Sequence, residues 1–276
     1  MAGRKGCRFE NPKCFFDNCS AVGGECLCHY GKRRAAAASL FAVLGGTTIT
    51  NTGPSSINGN LGLWSGTSIT GFPPGTVSGA IDVTNSAAMQ AQMDLTGAYN
   101  VAAAQPCGGV LTGQNLGGQT LTAGVYCFAS SAQLNGSLIL NAQGDANAVF
   151  IFQIGSTLTT LSSSQVTMIN GGTGNNVFWQ VGSSATLGTA SQFAGNILAL
   201  SSITLDAGAD ISCGRALALN GAVTMDTNDV SISGPGCSAG AASAPEPGTA
   251  TFLGIGLLLG LAGHGLMSRS LSKQAA

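Results

Sequence analysis

The segment "VFIFQIGSTLTT", residues 149–160, decides the fold. An apolar, strand-like run meets a Gly-Ser corner, and a short alternating segment follows in which Leu158 stands between Thr157 and Thr159. The same order of parts recurs in "VYCFASSAQLNG" from 125, "VFWQVGSSATLG" from 177, "NILALSSITLD" from 196 and "RALALNGAVTMD" from 215. Upstream, "FAVLGGTTITN" from 41 and "LGLWSGTSITG" from 61 supply two more lines. A further strand-like run often closes the unit, as in "SLILNAQG" and "SQVTMING".

The downstream lines begin about nineteen to twenty-eight residues apart. Self-similarity at such a period is the mark of a stacked solenoid. The runs are too short, and the corners too rich in Gly, Asn and Ser, for helical repeats. A β-sandwich also has many short strands, but it does not require the apolar run to precede the threonine strand every time, whereas stacked coils do. One segment breaks the rhythm. In residues 84–106, Ala88, Ala91, Leu95, Ala98, Tyr99 and Ala102 recur at helical spacing, Thr84 or Asn85 can cap the start, and Pro106 follows the end. The chain is therefore expected to be mainly β, a solenoid of short strands with one long α-helix packed alongside.

Composition narrows the function. Of 276 residues, 44% are hydrophobic and only 8% charged, with 42 glycines and a net charge of −1. From Ser39 to Gly240 there is no Lys, Glu or His, only Arg215 and the aspartates 82, 94, 145, 206, 210, 226 and 229. Nucleic acid is excluded as a partner because phosphate neutralisation needs clustered Lys and Arg. Acid–base catalysis lacks positioned titratable groups, so a β-helix enzyme is disfavoured and no cofactor is expected. "DTND" at 226–229 has calcium-ligand chemistry but not the rest of a calcium loop.

Phe41 to Cys237 resembles the ice-binding-protein-like β-solenoid family. The resemblance rests on "FAVLGGTTITNTG", "SSINGNLGL", "TSITGF", "QAQMDLTGAYNVAA", "LTAGVYCF", "GDANAVFIFQIGSTLTT", "NNVFWQVGSSATLG", "GNILAL" and "GRALALNGAVTMDTN", in that order. It implies a right-handed discontinuous β-helix with a helix beside it, in which the N-terminal coils do not simply stack beneath the later ones. It also implies, for several members, that one flat face of the solenoid binds an ice crystal surface.

The residues point to the same face. With the central Ile or Leu of "TTIT", "STLT" and "SSIT" inward, the hydroxyl residues on either side point out. One outward file is expected through Thr48, Ser68, Thr157, Thr186 and Ser202, the other through Thr50, Thr70, Thr159, Thr204 and Thr224, interrupted at Gln133, Asn135, Gly188 and Ala222. Thr159 and Thr204 are expected near its middle, and Gln180 outward on another side. Threonine is a good β residue on any wet face; what sets this face apart is that it carries no Lys, Glu or Arg. Four cysteines in the body of the chain suit an exported, oxidised protein. Cys107 and Cys127, and Cys213 and Cys237, lie about one coil apart, and a rung of roughly 4.8 Å falls inside the usual Cα separation of a disulfide; both pairs are expected to be bonded.

The ends differ in character. Residues 238–248 form a small-residue linker ending in Pro245-Glu246-Pro247, residues 249–267 carry no formal charge, and residues 268–276 include Arg269 and Lys273. This arrangement resembles the PEP-CTERM sorting signal processed by exosortase-type enzymes of Gram-negative bacteria. It implies transient anchoring in the inner membrane through a C-terminal helix just long enough to span, then release to the cell surface or medium. Residues 1–38 are basic and hold five cysteines, at 7, 14, 19, 26 and 28, whose spacing fits no standard zinc site. No metal is expected, and a misplaced start or frame accounts for this head better than a metal module. The functional expectation is an extracellular, monomeric ice-binding protein acting through the Thr face; the alternative is an adhesive surface solenoid that binds exopolysaccharide or other cells.

Overall fold

The computed structural model describes residues 37–234 and Cys237, together with a short antiparallel ribbon, Ser20–Val22 with Glu25–Leu27. The sorting-signal residues Pro245, Glu246, Pro247 and Arg269, the 249–267 span and most of the cysteine-rich head lie outside the described residues. Among the described residues, no helix is long and apolar enough to cross a membrane.

The body is a β-solenoid with three faces, here named a, b and c in the order in which each coil visits them. One coil runs Phe150–Ile154 on face a, Leu158–Thr160 on face b and Gln165–Ile169 on face c, then returns to face a with Val177–Val181. Strands on successive coils pair in parallel. Faces a and c merge into one 15-stranded sheet because Gln192–Ala199 and Asp210–Ala218 run continuously round the corner between them. That bend is possible because Gly195 adopts φ +111°, and a Cβ on the stacked Gly214 would lie 2.0 Å from the Gly195 carbonyl oxygen.

Stacking order departs from chain order. Phe41–Gly45 pairs with Asp210–Ala218, and Thr48–Thr52 with Val223–Asp226, so the first coils sit beyond the last. Inside, Phe152, Trp179, Ile197, Ala216, Val43 and Leu61 form one buried layer in register, within which the Phe152 and Trp179 rings stack at 3.9 Å. The b–c corner is lined instead by buried polar residues that bond the backbone of neighbouring coils. Asn228, for example, donates to the carbonyls of Asp206 and Ala209 at 2.8 Å each, which makes "DTND" a structural turn.

Helix α1 (Ser86–Ala103) starts at Asn85, whose side chain accepts from the Ala88 amide at 2.9 Å. It buries Ala88, Ala91, Gln92, Leu95, Ala98 and Ala102, and its apolar residues pack against Leu44, Ile151, Phe178, Leu198 and Leu217 on the outer side of face a. Because that face is covered, its strands are apolar on both sides, which explains why "VFIFQI" and "NILAL" do not alternate. Gln180 belongs to this buried face and is 7% exposed, contrary to its expected outward, solvated position. Two glutamines fasten the helix: Gln92 donates to the carbonyls of Gly45 and Ala218, and Gln153 to those of Ala102 and Gln105 at the helix end.

Candidate functional site

Face b consists of seven parallel strands. In spatial order they are Ala132–Leu134, Leu158–Thr160, Ala185–Leu187, Ile203–Leu205, Val223–Asp226, Thr48–Thr52 and Ser68–Thr70. Their pairing shows no register shift, unlike faces a and c. Ala132, Leu158, Ala185, Ile203, Val223 and Ile49 point inward and are buried. The residue after each points out, as does Thr70 after the partly buried Ile69, giving one continuous file: Gln133, Thr159, Thr186, Thr204, Thr224, Thr50 and Thr70. A parallel file precedes it in each strand: Ser131, Thr157, Ser184, Ser202, Ala222, Thr48 and Ser68. With neighbouring strands about 4.8 Å apart, seven rungs extend roughly 29 Å.

Thr186 changes files relative to the expectation from sequence. It pairs with Thr159 and Thr204, not beside Thr157 and Ser202, and Ser184 takes the vacated place. The reason is that both Ala185 and Leu187 are buried, with Thr186 between them; alanine is a weak apolar signal, so Leu187 alone is read as the inward residue. Thr204 holds the fourth of seven places, whereas Thr159 is second from one end. Gln133 and Ala222 interrupt the files as expected. Asn135 and Gly188 stand one residue beyond the inward Leu134 and Leu187, off both files.

The two files differ in hydrogen bonding. In the flanking file Thr157 donates to the Ser131 hydroxyl at 2.8 Å, the Ser184 hydroxyl accepts from the Ser202 amide, and the Ser202 hydroxyl accepts from the Ala222 amide. Among the described residues, none of the six threonine hydroxyls of the central file has an intramolecular partner. Each is held by a β-branched side chain with few rotamers on a fixed ladder, with its methyl beside it and its donor and acceptor capacity open to water. No charged side chain lies in either file; Asp206 and Asp226 stand at the b–c rim, where Asp226 pairs with Thr52.

Other chemistry is sparse. A groove of about 300 Å³ between helix α1 and the a–b corner is lined by Thr47, Trp64, Met89, Met93 and Leu219, with no acid, amine or imidazole in its wall. Among the described residues, no three His, Cys, Asp or Glu side chains gather in one place. Arg215 is buried on the outer side of face a beneath Ala37–Leu40, where loss of hydration lowers its pKa to about 10; it donates to Asn196 Oδ1 at 2.5 Å and to the Ser39 carbonyl at 2.9 Å, fastening the segment that leads into Phe41–Gly45. Two disulfides close the body, Cys107–Cys127 with Cα atoms 6.0 Å apart and Cys213–Cys237 at 4.8 Å.

Comparison with known proteins is consistent with this geometry. The family model described as "Ice-binding-like" matches residues 43–231. An ice-binding protein of a Nostoc species is 57% identical over 222 residues, covering 80% of this chain and 82% of that one. One from Flavobacterium frigoris is 32% identical, with 71% and 74% covered. Among solved structures, an ice-binding protein from an Antarctic biological consortium superposes with TM-score 0.69 at 46% identity, covering 71% of this chain and 88% of that one. That of the Antarctic ascomycete Antarctomyces psychrotrophicus gives 0.69 at 42%, with 72% and 97% covered. With its parallel solenoid, flanking helix and matching sequence along nearly the whole described body, this chain belongs to the ice-binding-like family.

Proposed function

We propose that this protein adsorbs to ice through face b and so restrains crystal growth and recrystallisation. The observation that carries the reading is the central file: Thr50, Thr70, Thr159, Thr186, Thr204 and Thr224 stand in unbroken register with their hydroxyls free of internal partners. Thr48, Ser68, Thr157, Ser184 and Ser202 flank it and widen the contact. Water held at such spacings by methyls and hydroxyls forms an ordered layer that merges with the crystal. Rigidity is essential, because ordering each side chain only on contact would cost conformational entropy at every rung. The process is adsorption, needs no cofactor or metal, and one molecule suffices.

The protein acts outside the cell in this reading. Two disulfides favour an oxidising compartment, and the Pro-Glu-Pro motif with its apolar stretch and basic end supports exosortase-type sorting after transient anchoring in the inner membrane of a Gram-negative bacterium. The deciding experiment is ice shaping and thermal hysteresis with purified protein, wild type against Thr204→Tyr, with melting followed in parallel. Shaping by the wild type alone is the expected result. Equal shaping by both would remove face b as the site, and a wild type that shapes no ice would leave the adhesive solenoid as the better account.

A further inference from the structure

Helix α1 leaves two large apolar side chains in water one turn apart, Met89 at 37% and Met93 at 52% exposure. Both line the groove between the helix and the a–b corner, and Trp64 lines it with them. Trp64 is partly buried and directly follows Asn60–Leu63, with its backbone amide donating to the Gly45 carbonyl at 3.1 Å. The volume of about 300 Å³ is at the lower end of small-molecule sites, which suits a ligand of sugar-ring size.

The polar groups of the wall are left open on the ligand side. Gln92 lines the groove although it is only 7% exposed, and both bonds that fix it are donated by Nε2, to the Gly45 and Ala218 carbonyls. Its Oε1 therefore has no intramolecular partner among the described residues. Asn220 repeats the arrangement: Nδ2 donates to the Leu200 carbonyl at 3.1 Å, and Oδ1 stays open. Among the described residues Trp64 Nε1 likewise lacks a partner, so the wall offers two amide acceptors and one indole donor.

This chemistry narrows the ligand by exclusion. A phosphate, carboxylate or ammonium group would enter without a counter-charge, since no charged side chain lines the groove. A wholly apolar molecule would strip water from Gln92 Oε1, Asn220 Oδ1 and Trp64 Nε1 and give nothing back. What fits is an uncharged molecule with hydroxyls at its rim and an apolar carbon–hydrogen face, the chemistry of a pyranose ring. We infer that the groove binds a neutral sugar residue of an oligosaccharide or polysaccharide. The carbon–hydrogen face of the ring lies on the Trp64 indole, and the flexible thioethers of Met89 and Met93 adapt around it. Ring hydroxyls donate to Gln92 Oε1 and Asn220 Oδ1, and a neighbouring hydroxyl accepts from Trp64 Nε1. Thr47, in the same wall, directly precedes Thr48, but no residue of either hydroxyl file lines the groove. A bound sugar therefore sits beside face b and not on it, and the inference stands whether or not face b adsorbs to ice.

The chain's 2 tryptophans make the test direct, because Trp179 is fully buried and a ligand-dependent change in emission reports Trp64. The purified full chain is titrated with cellotetraose, mannotetraose and, for contrast, the charged tetragalacturonate, by fluorescence and by calorimetry. A saturable response to at least one neutral tetrasaccharide is expected, with far weaker binding of tetragalacturonate. Trp64→Ala is expected to weaken calorimetric binding roughly tenfold or more, while Trp64→Phe, which keeps an aromatic platform, retains most of the affinity. Melting and circular dichroism of both variants show that the comparison is between folded proteins. No saturable response to either neutral tetrasaccharide would overturn the saccharide assignment. Equal affinity for tetragalacturonate would overturn the choice of a neutral ligand, and undiminished binding by folded Trp64→Ala would overturn the groove as the site.

Discussion

Faces a and b are built on the same rungs by the same chain, yet one is sealed and the other open. On face a the outward residues are Ile151, Phe178, Leu198, Leu217 and Leu44, and helix α1 covers them with alanines and Leu95. On face b the outward residues are threonines and serines apart from Gln133 and Ala222, and among the described residues no element covers them. The difference follows from side-chain chemistry. Large aliphatic side chains are stabilised by removal from water, so their face must be capped; short alcohols tolerate water, so their face can remain bare without becoming an apolar patch.

The sharpest way to break the comparison is to make face b uneven. Thr204→Tyr at its centre is expected to abolish ice shaping while stability stays within about 0.5 kcal/mol, as for other surface changes; calorimetry beside ice-growth imaging checks both halves. The converse change in the helix that covers face a, Leu95→Ala, is expected to cost roughly 2–5 kcal/mol of stability and to leave ice shaping by the folded fraction intact, measured by denaturant titration and by activity per folded molecule. Gln92→Ala leaves the carbonyls of Gly45 and Ala218 without their side-chain donor, and is expected to cost about 1–3 kcal/mol with the same separation of effects. Smaller still, Ala222→Thr should extend the flanking file across its gap and raise thermal hysteresis modestly over wild type. Thr167→Tyr, exposed on face c, should change neither quantity and serves as the control for a change of bulk.

Much of this contrast is legible in the sequence. "STLT" and "SSIT" announce a half-buried strand, and the helix appears through Ala88, Ala91, Leu95 and Ala98. The phase of "ATLGT" is not legible, because Ala185 is as buried as Leu158 but contributes too little hydrophobicity to mark its own direction. Gln92, Gln153 and Arg215 are also silent in the sequence. Each is one polar residue among apolar ones, and its value lies in carbonyl groups that only the folded chain brings near. Gln180 misleads in the opposite sense: a polar residue in a strand suggests solvent, but here it lies under a helix. The hydrogen-bonding difference between the two hydroxyl files depends on corner geometry, so no reading of composition separates them.

The discontinuous stacking has a consequence for the order of assembly. Ser55 accepts a hydrogen bond from the Asn228 backbone amide, across 173 residues of chain, and the rung carrying Thr50 pairs with the neighbouring rung carrying Thr224. During synthesis the first coils therefore emerge without their stacking partner and must wait for nearly the whole domain to follow. Contacts of such high order slow folding and lengthen the exposure of unpaired strand edges. The central file is complete only when beginning and end of the domain have met, so a nascent or truncated chain lacking Val223–Asp226 holds its threonines in two separate groups and cannot present the full lattice.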